Sequence, residues 1–198
     1  QYAEEDLEYQ AFPTSTVTPV FTPNDPHLAL QWAIPKIQCP EAWDVTQGQA
    51  STLIAILDTG IDETHPDLAG KVVDRINFST SPDTTDKYGH GTHVAGTAAA
   101  LTNNGVGVAG VAPLVRLLNV KVLSDAGSGS WSGVASGIVW AADHGGVIFA
   151  CHCPLGLQCA VRSKERKDVE EGLKRERRHG LILSSSGELT NWVLYRYA

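Results

Sequence analysis

The chain has 198 residues, 42% of them apolar, and a formal net charge of -7 at neutral pH. That length supports one sizeable core, and no apolar run approaches the roughly 20 residues of a membrane-spanning helix, so a membrane partner is not expected. The chain holds no methionine and begins with Gln1, which reads as a processing or fragment end, so any secretory signal would lie upstream.

Charge is unevenly spread. Residues 1–146 carry 6 Lys/Arg against 16 Asp/Glu, a net of -10, whereas residues 147–198 carry 9 against 6, a net of +3. Cysteine follows the same divide, with Cys39 alone in the first part and Cys151, Cys153 and Cys159 clustered in the second. So abrupt a change near Gly146 suggests a diverged segment, an altered reading frame or a chimeric join.

In chain order, residues 1–10 form a short acidic leader and residues 13–19 a turn-rich stretch without periodicity, which reads as a linker. Residues 40–45 are expected to make a short helix. Residues 52–57 are a continuous apolar run closed by Asp58-Thr59-Gly60, the pattern of a buried parallel strand ending at Asp58. Alanine-rich residues 91–102 suit a closely packed helix, and residues 115–123 a second strand. Residues 130–143 predict a helix with Val134, Ile138 and Ala141 on one face, stopped by Gly145-Gly146. Residues 147–150, 163–179 and 181–185 then read as strand, charged helix and strand. The alternation predicts an α/β fold, a doubly wound parallel sheet with helices on both faces.

Asp-Thr-Gly alone is weak, because an aspartate ending a strand is often a turn residue, and pepsin-like proteases use the same tripeptide in two loops of a longer chain. Gly89-His90-Gly91-Thr92-His93-Val94-Ala95-Gly96 is more specific, since two histidines around Gly-Thr at a helix start serve no obvious packing purpose. A zinc reading of His90 and His93 lacks the helical i, i+4 spacing and the glutamate of zinc proteases. Asp58 and His90, each at the edge of a βα unit, resemble the subtilisin-like serine proteases (peptidase S8), most closely the thermitase-type branch. Thr22-Pro23-Asn24-Asp25-Pro26, Ala42-Trp43-Asp44, His65-Pro66-Asp67-Leu68 and Thr102-Asn103-Asn104 carry the resemblance across residues 22–146.

The resemblance implies a serine endopeptidase in which Asp58 orients His90 and His90 moves the proton of a serine nucleophile. It implies that Gly127, Ser128, Gly129 and Trp131 line the edge that takes an extended polypeptide substrate, with His93 structural. A loop with a packed tryptophan is the plainer reading of that segment. It also implies a Ca²⁺ site of Asp25, Asp67 and Asn104 side chains with the carbonyls of Leu101, Val106 and Val108. Asp83 and Asp86 read better as a solvated loop than as a second site. Gln1-Tyr2-Ala3-Glu4-Glu5-Asp6 resembles the end of the family's inhibitory propeptide, and a merely acidic leader is the alternative. On this reading residues 1–11 are a propeptide remnant, 12–21 a linker, and 22–198 a partial, C-terminally incomplete catalytic domain with 147–198 diverged or frame-altered.

The departures concern the chemistry. The family's Gly-Thr-Ser-Met-Ala nucleophile segment does not occur, for Gly-Thr stands only at Gly91-Thr92 and Gly96-Thr97. Glu188, after the strand-like residues 181–187, falls where the family places an oxyanion-binding asparagine, and its charge would repel the oxyanion. The chain is therefore expected to be inactive as given. A non-catalytic peptide-binding or decoy protein is the alternative. Cys151-His152-Cys153 with Cys159 lacks the paired Cys-x-x-Cys spacing of zinc sites. The mixed charges of residues 162–178 read as a solvated helix face, not a nucleic-acid patch. A secreted monomer acting on polypeptides, its own propeptide among its partners, is the sum of these expectations.

Overall fold

A computed structural model of the chain describes residues 19–150, 157–161 and 195–196. Its centre is β1 (Leu53–Asp58), whose last five residues are all buried. β2 is Val72–Asn77, β3 is Arg116–Lys121 and β4 is Gly146–Ala150. β1 lies between β3 and β4, β2 flanks β3, and all these pairings are parallel. The sheet continues through β5 (Leu157–Val161), antiparallel to β4, and β6 (Tyr195–Arg196), antiparallel to β5. β1 to β4 form the expected parallel sheet, and β5, not foreseen in the sequence, adds an antiparallel strand at its edge. The charged helix at 163–179 and the strand at 181–185 lie outside the described residues.

The continuous apolar character of β1 follows from burial of both its faces. Ile54 and Ile56, with Leu117 of β3, pack against Ala95 and Ala99 of α3 (His90–Ala99). Ala55 and Leu57, with Leu118 and Val120, pack against Ala141, Val134 and Ile138 of α4 (Trp131–Asp143). The helical face expected at Val134, Ile138 and Ala141 is thus the one that meets the sheet. The path β2–α3–β3 and the path β3–α4–β4 advance across the sheet in the same direction, yet their helices cover opposite faces. The two crossovers must then be of opposite hand, so one departs from the strong right-handed preference.

At the N-terminal end, α1 (Ala33–Lys36) and α2 (Cys39–Val45) form a second small core of Ile34, Cys39, Trp43 and Ala109. Trp43 fastens it by donating its indole N–H to the Val111 carbonyl at 2.9 Å.

Lys71, 4% exposed, donates from Nζ to the Pro113 carbonyl at 2.5 Å. Burial, and then the nearby charge of Arg116, pull its amine down to about 8 from 10.5. Between pH 8 and 10.5 the unfolded chain therefore binds a proton that the folded chain has shed, and stability rises with pH across that window. The full gain is about 3 kcal/mol. Denaturant titrations of Lys71→Met are expected to have lost this slope; an unchanged slope would assign it to another group.

Candidate active site

Asp58 is the last residue of β1 and is 0% exposed, at the carboxyl end of the sheet where α/β folds build their sites. His90 opens α3, preceded by Gly89 at φ 95°. The His90 Nδ1–H reaches both carboxylate oxygens of Asp58, at 2.8 and 2.9 Å. The Thr59 amide donates to Asp58 Oδ1 at 2.7 Å. Burial pushes the Asp58 carboxyl above its ordinary value, and the bonds from His90 and Thr59 pull the other way. The His90 ring remains 37% exposed, so a general base in this position is accessible to a reacting group.

The close approach of α3 to the end of β1 depends on Gly91. A Cβ there would lie 2.1 Å from the Gly60 carbonyl oxygen and 3.0 Å from Asp58 Cβ.

Asp86, expected in a solvated loop, is instead bonded through both carboxylate oxygens. Its Oδ1 accepts from Thr59 Oγ1 and from the Tyr88 and Gly89 amides, and its Oδ2 accepts from the Thr92 amide and Thr92 Oγ1, at 2.7–3.0 Å. Burial raises its carboxyl, but these bonds together outweigh it and hold the group below the usual carboxylate range. With five donors already on about four lone-pair sites, the carboxylate has no room for a cation. Lys121, the register partner of Asp58, is likewise fully buried; its Nζ donates to the Thr59 and Thr85 carbonyls and pairs with Asp125 at 3.0 Å. His93, expected to be structural, is exposed on α3 and takes no part in the core. A hint of Asp86 was present in its place four residues before His90, with Thr92 opening the helix behind it, since acidic side chains cap helix starts.

Gly127, Ser128 and Gly129 precede α4. A Cβ on Gly127 would lie 2.7 Å from the Tyr88 ring, which brings this segment against the loop that carries His90. The Ser128 carbonyl accepts from the Ser124 amide at 2.7 Å. Trp131 is not packed away: it is 64% exposed at the start of α4.

Asp25 and Asp67 are 5% and 1% exposed and converge on one loop. Asp25 accepts from the Asn103 and Asn104 amides, and Asp67 from the Val108 amide and the Asn104 side chain. The Leu101 amide donates to the Asp67 carbonyl, and the Val106 amide to Asn104 Oδ1. The residues expected to hold a metal are thus gathered in one place. Among the described residues neither carboxylate pairs with Lys or Arg, and such buried charges are the kind that a cation satisfies. Two buried carboxylates beside the Asn104 side-chain amide offer hard oxygen donors of the kind a cation such as Ca²⁺ takes.

The Subtilase family profile matches residues 49–171. The chain belongs to the subtilase family. Thermitase of Thermoactinomyces vulgaris is 49% identical over 132 residues, covering 66% of this chain and 47% of thermitase. A thermophilic serine proteinase of Bacillus sp. (strain AK1) is 42% identical over 161 residues, 80% of this chain and 39% of that protein. Subtilisin Savinase of Lederbergia lenta is 47% identical over 118 residues, 59% of this chain and 42% of Savinase. The chain spans less than half the length of each of these relatives. In this subtilase the match includes both Asp58 and His90. Among the described residues no helix is long and apolar enough to cross a membrane.

Proposed function

We propose that this chain contributes two of the three catalytic groups of a subtilisin-like serine endopeptidase. The observation that carries the reading is the buried Asp58 carboxylate bonded to His90 Nδ1 at 2.8 Å. Nδ1–H donation to Asp58 leaves the Nε2 lone pair to accept the proton of a serine hydroxyl as its oxygen attacks the peptide carbonyl. The imidazolium then gives that proton to the leaving amine. An extended polypeptide would lie along Gly127–Ser128–Gly129, with Trp131 bordering a pocket for an apolar side chain. No Gly-Thr-Ser segment stands among the 198 residues, so the chain by itself is expected to be silent toward fluorophosphonate probes. On the same reading the protein is secreted, residues 1–11 are the end of an inhibitory propeptide and residues 12–21 a linker.

The test joins residues 19–146 to the nucleophile-bearing remainder of thermitase. Casein hydrolysis blocked by a fluorophosphonate, and lost in His90→Ala, is the expected result. A folded product that binds peptides without cleaving them would replace this reading with the non-catalytic one.

Calcium would be held by Asp25, Asp67 and Asn104 with the carbonyls of Leu101, Val106 and Val108, where it would neutralise two buried carboxylates. Its binding would fasten the segment at Asn24, already bonded to Asn103 and Gly105, and stabilise the fold by mass action. At 100-fold excess over Kd the gain is about 2.7 kcal/mol. Calcium is therefore expected to raise the melting temperature, EDTA to reverse the rise, and Asp67→Asn to abolish the response. A melting temperature indifferent to chelator would remove the site.

A further inference from the structure

We propose that Asp86 is a positioning residue for the Asp58–His90 pair: it clamps the start of α3 to the end of β1 and so fixes the imidazole against its carboxylate. The proposal rests on the reading of Asp58 and His90 as orienting acid and general base.

The bonding runs in a closed ring. Asp58 Oδ1 takes the Thr59 amide, and the Thr59 hydroxyl gives its one proton to Asp86 Oδ1. That hydroxyl's lone pair is thereby turned to the Gly91 amide, 2.9 Å away. On the other side, the Thr92 hydroxyl gives its proton to Asp86 Oδ2 and presents its lone pair to the Asp62 amide at 2.9 Å. Asp86 also takes the Gly89 and Thr92 amides directly. The amides of residues 89, 91 and 92 are therefore all held, around the one residue between them whose side chain faces Asp58. A charged acceptor at a helix N-terminus is also opposite in sign to the helix dipole there.

Only a carboxylate accepts on both of its arms. In Asp86→Asn the amide NH₂ must face one set of donors, so either the Thr59 side or the Thr92 side of the ring opens.

The readout is the His90 imidazole itself, followed by ¹H–¹⁵N NMR of the labelled 198-residue chain. The wild type is expected to give a low-field Nδ1 proton with Nδ1 protonated and Nε2 unprotonated, and Asp58→Asn to lose it. If the wild type lacks that signature, the reading of the pair fails first. Given the signature, Asp86→Asn is expected to move the proton upfield and speed its exchange with water by about tenfold, the effect of losing one charge-assisted hydrogen bond. Asp83→Asn, on the same loop, is expected to change neither. An unchanged Nδ1 proton in a folded Asp86→Asn protein would overturn the proposal. Should that variant not fold, Thr59→Val and Thr59→Ser decide. Serine keeps the relay and is expected to keep the signature, whereas valine is expected to lose it; equal behaviour of the two would overturn the proposal.

Discussion

Asp58→Asn is expected to lower kcat of the joined catalytic domain by about 10⁴ while leaving its melting temperature at pH 7 unchanged or raised. The reason lies in which atoms already occupy the carboxylate. The Thr59 amide donates to Oδ1, so the oxygen of an asparagine would stay at that place and its NH₂ would take the place of Oδ2, 2.9 Å from His90 Nδ1. A donor at that place competes with the oxygen for Nδ1 and favours the tautomer in which Nδ1 accepts and the ring proton sits on Nε2, where a general base needs its lone pair. Stability runs the other way. A carboxyl whose folded-state value is raised by burial contributes stability below its unfolded value and loses it as pH rises through the folded one. At pH 7 the ionised group carries a desolvation cost that asparagine lacks. Kinetics and thermal melts on one sample check both signs; parallel loss of kcat and stability would mean that Asp58 acts mainly as a structural residue.

The parts of the fold that could be read from the sequence are those whose pattern is local. Residues 52–57 are a continuous apolar run because both faces of β1 are covered, residues 115–123 read as a strand although Arg116, Asn119 and Lys121 interrupt their apolar residues, and the structure puts strands at both places. β2 escaped notice because it lies at the outer flank of β3, with Val73, Asp74 and Arg75 exposed and a register shift between Val72 and Asp74, so it has neither a run nor clean alternation. The opposite hands of the two crossovers have no local signature at all. They depend on which face each helix covers, and that is decided by packing across the whole sheet.

The site divides in the same way. Asp58 and His90 were legible because the glycines and threonines that position them are their chain neighbours. Asp86 and Lys121 were not, since each has a deciding partner far along the chain: Thr59 lies 27 residues from Asp86, and the Thr59 carbonyl 62 residues from Lys121. A polar residue in a polar loop reads as solvated until the fold brings donors to it. Trp131 is the reverse case, for its exposure could not be told from its sequence, where an aromatic at the start of a helix reads equally well as core.

The two glycines of α3 offer a test in which the same substitution has opposite signs on one helix. Gly96→Ala adds a methyl with nothing within 4 Å, at a helical position where alanine is favoured by about 1 kcal/mol, so it is expected to stabilise. Gly91→Ala places its methyl 2.1 Å from the Gly60 carbonyl oxygen, a backbone atom that cannot rotate aside. Relief requires α3 to retreat from β1 by an ångström or more, which stretches the Gly91–Thr59 bond and the His90–Asp58 contact together. Overpacking of this kind costs about 3 kcal/mol or more. A misplacement of roughly 1 Å at a catalytic group costs about 10²-fold in rate. Gly91→Ala is therefore expected to lower both the melting temperature and kcat of the joined domain, and Gly96→Ala to raise the first and spare the second. If both variants were stabilised alike, the contact between α3 and the Asp58-Thr59-Gly60 turn could not be as close as these distances require, and the placement of His90 would have to be sought in some other constraint.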